Sequence, residues 1–597
     1  MSKRRCDRQR RSAGTSHPEN GGSGMLPATA RELRERGISR PDVILVSGDA
    51  YIDSPYSGVA VIGRVLEDAG YTAAVIPQPD LRTERDITAL GEPRLFWGIS
   101  AGCVDSEVAN YTALGKPRRS CDFTPGAANN RRPDRACIVY ANLVRRHFKN
   151  TVPIVLGGIE ASLRRLAHFD YRSGRIRRSV LLDSKADILV YGMGERAVLD
   201  IARALDSGYP ADSIPGTCVC SAEPPSGYRE LPDFETVRSS RREFGRMFQQ
   251  FYETCISSSA PGLVQRYGYR YLVHHPPAAG LSSGELDRVH ELPYRDEAHP
   301  VCAAQGEIRA LDTIRDSIVT HRGCFGECSF CAIALHQGRS VVSRSAESII
   351  REGRRISGRG GFSGTIRDVG GPTANMYGAS CPALSRGAPC RDRHCVGYGG
   401  VCSKLRLDHG AQLRLLRGIL ELPGVQRVLV ASGIRHDLVL ADTETGSAYL
   451  EQLLKKHMSG QLKIAPEHCS EQVLKLMNKP PAEEATRFAR LFRSAAARAG
   501  KKGYLSCYVI AAHPGCTAEH MREFLRFARS SLRFVPEQVQ IFTPTPSTRS
   551  TAMYHCGFDP FTGREVWSEQ SGAGRRKQKE ILTRKAGERR RKGGTGG

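Results

Sequence analysis

DVILVSGDAYIDSPYSGVAVIGRVLEDAGYTAAVIPQP (Asp42–Pro79) decides the architecture of the first part of the chain. DVILVSG (Asp42–Gly48) holds an unbroken apolar run, as a strand covered on both faces requires. SGVAVIGRVLEDAG (Ser57–Gly70) has the spacing of an amphipathic helix and stops at Gly70. YTAAVIPQP (Tyr71–Pro79) is a second strand. The alternation continues through strands at Arg94–Ser100, Val152–Gly158 and Ala186–Gly192, with helices near Ala136–Phe148 and at Glu195–Leu205. Strands alternating with helices predict an α/β protein with a doubly wound parallel sheet. Ligands of such sheets sit beyond the carboxyl ends of the strands, here the loops Gly48–Gly58, Gly157–Ser162 and Gly192–Glu195.

The whole chain has 597 residues, long enough for roughly four domains. With 40% hydrophobic and 25% charged residues it has a globular composition, which excludes wholesale disorder and a fibrous architecture. No uncharged apolar run reaches the ~20 residues that cross a bilayer. No apolar segment follows the basic start, so no secretory signal is expected and the expected location is cytoplasmic. The formal charge is +25. Residues 1–11 carry a net +5, and residues 575–592 carry ten basic side chains against Glu580 and Glu588. Such ends can neutralise phosphates, so nucleic acid is a conceivable partner. No aromatic residue interleaves with the charges, which favours solvated ends. The expected boundaries are a disordered basic N-terminus over 1–40, the Rossmann-like sheet domain over 41–220 and a connecting region over 221–310. A core barrel over 311–560 and a disordered basic C-terminal tail over 561–597 follow. HHPPAAGLSSGELD (His274–Asp287) reads as a linker; adjacent His274 and His275 cannot face one way on regular structure, so they are poor joint metal ligands.

From Ile314 a second alternation begins, with strands near Asp316–Thr320, Gly364–Thr373, Gln426–Gly433, Gln461–His468, Tyr504–Gly515 and Val539–Thr548. Six strands with helical crossovers suit an incomplete α/β barrel, whose chemistry belongs on the loops after the strands.

Of 19 cysteines, seven lie between Cys324 and Cys402, a clustering that points to metal in an intracellular chain. HRGCFGECSFCAI (His321–Ile333) places Cys324, Cys328 and Cys331 on one short loop. Three soft thiolates can hold three irons of a cubane cluster and leave the fourth iron open. The competing reading is zinc, closed by His321 or His336. A second group, Cys381, Cys390, Cys395 and Cys402, lies in a basic insertion over 379–405 that is poor in apolar residues. An auxiliary iron–sulfur cluster, a zinc site and reduced or redox-active thiols are its three readings.

The first loop resembles the radical S-adenosylmethionine signature, C-x3-C-x-aromatic-C. More broadly, the chain is similar to the YgiQ-type family of uncharacterised radical S-adenosylmethionine proteins over most of residues 40–560. The segments carrying the likeness include VPIVLGGIEASLRR, HRGCFGECSFCAIALHQGR, RDVGGPTANMYG, VASGIRHDL and KIAPEHCSEQVLKLMNKP. The resemblance implies a 4Fe–4S cluster on Cys324, Cys328 and Cys331 that chelates S-adenosylmethionine. Its reductive cleavage would yield a 5′-deoxyadenosyl radical that attacks a substrate the family does not name. An electron donor such as a flavodoxin or ferredoxin is implied. Phe330 would pack beside the adenine, Gly370 and Gly371 would present backbone to the methionyl group, and Ser432 and Glu467 would complete the cofactor site. Pro372 replaces the family's acidic residue in the glycine-rich segment. Arg435, His468, His513-Pro514-Gly515 and Pro544-Thr545-Pro546 also fall at strand ends. The N-terminal sheet resembles cobalamin-binding domains, but the histidine of their D-x-H-x-x-G signature falls on Pro55, so cobalamin is not expected. Gly194-Glu195 reads as a helix start. Two other classes stand beside the enzyme: a non-catalytic iron–sulfur or zinc redox-binding protein, and an RNA-binding or RNA-modifying protein.

Overall fold

The computed structural model describes residues 24–255, 260–385, 390 and 394–592. The opening segment folds as read. Val43–Ser47 and Ala73–Pro77 are parallel strands joined through the helix Gly58–Asp68. Phe96–Ser100, Ile154–Gly157 and Ile188–Val190 add in parallel on the other side of Val43–Ser47. Alternate side chains of each strand enter opposite cores. Ile44 and Val46 pack with Trp97, Ile99 and Tyr140, whereas Val43 and Leu45 pack with Phe96, Val61 and Ile201. Helices Ala136–His147 and Glu195–Asp206 thus lie on opposite faces of a doubly wound sheet. The strand order reverses between Val43–Ser47 and Phe96–Ser100, which opens a crevice at their carboxyl ends.

The connecting region expected over 221–310 contributes three strands to the sheet, with the helices Phe234–Ser239, Arg241–Thr254 and Ser283–Glu291 around them. Thr217–Ser221, Arg270–His274, Leu263–Tyr267 and Arg229–Leu231 extend it to nine strands. The hairpin LVQRYGYRYLVH mixes arginine and tyrosine with its aliphatics because its outer end is solvated, with Tyr269 84% exposed. That mixture hides the period of two. His274 ends the last strand, accepts from Arg165 Nε at 3.0 Å and stacks on Tyr191 at 4.4 Å. The His275 ring is engaged by the Tyr228 hydroxyl and the Asp212 carbonyl, both at 2.7 Å. Both imidazoles are committed to the protein.

The second half carries the six expected strands in short form. Ser317–Val319 pairs in parallel with Asp368–Gly370, and Thr365–Ile366 with Arg427–Val428. Gln461–Glu467 pairs in parallel with Tyr504–Ala511, which pairs with Val539–Ile541. A parallel bridge between Ile434 and Ile464 links the two groups. Among the described residues no helix is long and apolar enough to cross a membrane.

Both ends depart from the expected disorder. Residues 1–23 lie outside the described residues, but Met25 and Leu26 are buried and Ala30–Glu35 is a helix capped by Thr29. At the other end Gly572–Lys592 is a helix. Arg575, Gln578 and Leu582, spaced as one helical stripe, are buried in it. Gln578 accepts from Ala512 N at 2.9 Å and donates to the Cys516 carbonyl at 3.0 Å, and Leu582 packs with Phe524 and Val539. The density of charge around that narrow stripe concealed it. Leu582→Ala is expected to destabilise the chain by about 2–5 kcal/mol, the usual cost of such a cavity, read as a lower Tm.

Candidate functional site

The loop after Ser317–Val319 carries the three cysteines. Gly323 has φ +84° and lies so near the Ser340 carbonyl that a Cβ would meet it at 2.0 Å, so no other residue makes this turn. At Gly326 a Cβ would meet Arg435 Nη1 at 2.4 Å. The Cys324 thiol lies 3.6 Å from Thr373 Oγ1, on the loop after Asp368–Gly370. Burial raises the Cys324 thiol and pushes Cys331 up to about 12, and Cys328 raises both further. The three sulfurs are therefore close enough to feel one another. The donor set fits an iron–sulfur cluster: three soft thiols, Cys324 buried and Cys328 and Cys331 partly so, held by a glycine-bent loop, that lose their protons on metal binding.

Arg435 is buried against this loop. It directs Nη1 at Cys328 Sγ, 3.8 Å away, while Asp437 takes Nε and Nη2 at 3.0 and 2.6 Å. Burial works against the guanidinium charge, yet the Asp437 carboxylate and the cysteines outweigh it and hold Arg435 firmly protonated. Asp437 is likewise held down to about 2 despite burial, by the same pairing. Glu467 ends its strand with φ +66°, a strained conformation for glutamate. Burial raises its carboxyl, and Lys479 and Arg435 oppose that rise. Buried Lys479 also acts on Cys331 and Asp437. Sequence reasoning missed Lys479 because it sits beyond a helix rather than at a strand end.

Gly370 and Gly371 lie where they were expected. A Cβ at Gly371 would strike the His321 ring at 2.6 Å, so this position has no room for a side chain. Asp368 accepts from the backbone N–H of Ala431 at 2.8 Å and of Ser432 at 3.2 Å, and from the Ser432 hydroxyl, which locks two strand ends together. Phe330 meets His513 edge-on at 6.2 Å, and Ser550 N donates to the Ser329 carbonyl at 2.8 Å, fixing the loop behind it. His513 and His468 face inward, toward Ser550 and Cys516 respectively. His321 is held by Thr320 and His336 by Ser162, so neither ring is turned to the cysteines. Among the described residues no three His, Cys, Asp or Glu side chains gather around a single ion position, at this loop or elsewhere.

The two halves enclose a cavity of about 540 Å³. Its sheet side is formed by the loops at Pro55–Val59, Gly157–Ile159 and Gly192–Glu195, and its other side by Gly370, Gly371, Asp368 and Ser432. The predicted ligand loops of the sheet and the strand ends of the second half therefore line one chamber. Gly194 caps the helix as read, and Glu195 also pairs with Arg322 across the interface. Both side chains are nearly buried, at 5% and 12% exposure. Glu195→Ala is expected to cost about 3–5 kcal/mol, whereas Glu195→Leu with Arg322→Met should restore most of it, compared by denaturant midpoints. His290 and His321 also line the chamber; neither ring nitrogen of His290 is hydrogen-bonded. Pro55 stands at the chamber wall. The missing imidazole removes one ligand there but leaves the space open, so it does not by itself rule out cobalamin.

The model for the Radical SAM N-terminal family matches residues 25–317, and that for the Radical SAM superfamily matches residues 318–528. A UPF0313 protein of Fusobacterium nucleatum is 45% identical over 94% of this chain and 99% of its own length. A UPF0313 protein of Thermotoga maritima is 46% identical over 95% of this chain and 100% of its own. Among solved structures, the radical S-adenosylmethionine methyltransferase TsrM from Kitasatospora setae, with cobalamin and a [4Fe-4S] cluster bound, gives a TM-score of 0.48 at 16% identity, covering 84% of this chain and 76% of that one. The cobalamin-dependent S-adenosylmethionine radical enzyme OxsB with aqua-cobalamin bound gives 0.47 at 13% identity, covering 89% and 58%.

Proposed function

The chain belongs to the UPF0313 family of radical S-adenosylmethionine proteins, and on that premise we propose that Cys324, Cys328 and Cys331 hold its 4Fe–4S cluster at the mouth of an incomplete α/β barrel. It is a radical S-adenosylmethionine enzyme. A cluster held there would supply one electron to S-adenosylmethionine, breaking its C5′–S bond to methionine and a 5′-deoxyadenosyl radical. The observation that carries the assignment is the single glycine-bent loop that presents all three thiols, with Arg435 directed at Cys328.

The surrounding residues divide the remaining work. Arg435 neutralises thiolate charge at Cys328 and is itself fixed by Asp437. Gly370 and Gly371 present bare backbone, to which an amino group can donate. Lys479 supplies a cation for a carboxylate, and Glu467 an acceptor for sugar hydroxyls. Ser432, tied to Asp368, fixes the neighbouring strand end. Phe330 offers a ring face beside the loop. The chamber between the two halves takes the substrate, and the Glu195–Arg322 pair ties its two sides together. Reduction calls for a one-electron donor of the flavodoxin or ferredoxin class. Docking of Arg575, Gln578 and Leu582 removes part of the free basic tail on which an RNA-binding reading leaned.

The test is anaerobic reconstitution followed by S-adenosylmethionine and a strong reductant, with 5′-deoxyadenosine measured by mass spectrometry. Product is expected. A chain that assembles no iron–sulfur cluster at Cys324–Cys331 would instead belong to the metal- or redox-binding class.

A further inference from the structure

The four cysteines of the insertion take no part in the reaction described above. We propose that Cys381, Cys390, Cys395 and Cys402 form a second, thiolate-ligated metal site, seated directly against the catalytic cysteine loop.

The backbone places the cysteines before any metal is considered. Val396 pairs with Val401 and Gly397 with Gly400 in a tight antiparallel hairpin. Cys395 and Cys402 therefore stand opposite each other one step outward, and Cys402 N donates to the Cys395 carbonyl at 2.9 Å. Directly opposed, hydrogen-bonded residues share a sheet face, with Cα atoms about 5.5 Å apart. The chain then turns back, with Leu405 N donating to the Cys402 carbonyl at 3.0 Å. Ser380 and Arg406 exchange bonds of 3.0 and 2.9 Å, which brings Cys381 alongside. Cys381 and Cys402 both act electrostatically on the Cys395 thiol, and all three share one small core with Cys324 and Phe325. Cys390 is half-buried between residues outside the described set.

The insertion has little else with which to fold. Its contribution to that core is Ala379, Val396 and Leu405, with Ala383 and Val401 at the margin, besides the cysteines. Metal binding supplies folding free energy to such segments, and soft thiolates select zinc or an iron–sulfur group. The thiols do not yet surround a single ion position among the described residues, so final closure belongs to the binding event. The site would abut the catalytic loop because Gly326 pairs in parallel with Val396, while Glu327 holds His394 at 2.8 Å and Arg339 at 2.5 Å.

The test uses the full chain purified anaerobically with Cys324, Cys328 and Cys331 all replaced by alanine. Zinc, iron and acid-labile sulfide are then measured per chain. One metal group per chain is expected to remain, zinc alone or iron with sulfide, and that composition names the metal. Adding Cys395→Ser and Cys402→Ser should remove it. A readout on the wild type guards against misfolded variants. The four insertion cysteines should resist iodoacetamide until a chelator is added, followed by peptide mass spectrometry. Absence of both metals from the triple variant while it still melts cooperatively, or alkylation equally fast with and without chelator, would overturn the proposal. Failure of the catalytic assignment appears separately, as loss of 5′-deoxyadenosine in the wild type.

Discussion

Alanine at Cys324, Cys328 or Cys331 reduces 5′-deoxyadenosine formation to the level of protein without a cluster. The loss should be complete rather than graded. With three protein thiolates on one loop, removing one leaves two, too few to hold three irons, and burial raises Cys324 and pushes Cys331 up to about 12, so metal binding must displace their protons. Each variant should therefore fail to assemble the cluster, seen as loss of its visible absorbance, before any rate is considered. Arg435→Met should behave differently. It removes a cation 3.8 Å from Cys328 Sγ, so the cluster should still form but with a more negative midpoint potential, while Arg435→Lys restores part of the difference. Cysteine variants that keep the cluster, or lose less than about tenfold in rate, would show that the ligands lie elsewhere.

The parallel sheet was legible because its strands are buried on both faces and so read as apolar runs, Val43–Val46 and Ile154–Leu156 among them. The cysteine loop was legible because soft ligands at short spacing have few other uses. The hairpin Leu263–His274 was not, since Arg266, Tyr269 and Arg270 at its solvated turn end interrupt residues that are otherwise buried, with no clean alternation. Nor was the terminal helix: three buried residues on one stripe do not outweigh ten charges in composition. The site divides in the same way. Gly370, Gly371, Ser432 and Glu467 fall at or just after strand ends, the positions a barrel reading singles out, and so could be proposed in advance. Lys479 and the Glu195–Arg322 pair come together only through packing of distant segments. The chamber likewise exists only once the two halves are assembled, although each of its loops was foreseen as a ligand loop.

Acidification should unfold this protein before most of its carboxylates titrate. Burial holds His168, His321, His336 and His436 each down to about 4, from an ordinary value of 6.5. His468 and His513 are held down to about 3. The native state thus refuses protons that the unfolded chain accepts between pH 6.5 and 4. Stability rises with pH wherever the unfolded state binds more protons, so it falls as pH drops through that window and is unaffected above it. Each of the first four histidines costs on the order of 3 kcal/mol across the window. Glu107 works in the opposite sense: burial pushes it up to about 7, so it takes a proton in the folded state first and offsets roughly one histidine. Asp437, held down to about 2, is silent over this range. The remaining sum is comparable with the whole stability of a typical domain, about 5–15 kcal/mol. Thermal melts at pH 7.5, 6.5, 5.5 and 5.0 should show a level Tm to about pH 6.5 and a steep decline below it. His436→Phe should flatten that decline, because neither ring nitrogen of His436 has a hydrogen bond to lose. An unchanged Tm down to pH 5 would mean that these imidazoles are solvated or paired in solution, contrary to the buried, neutral state described here.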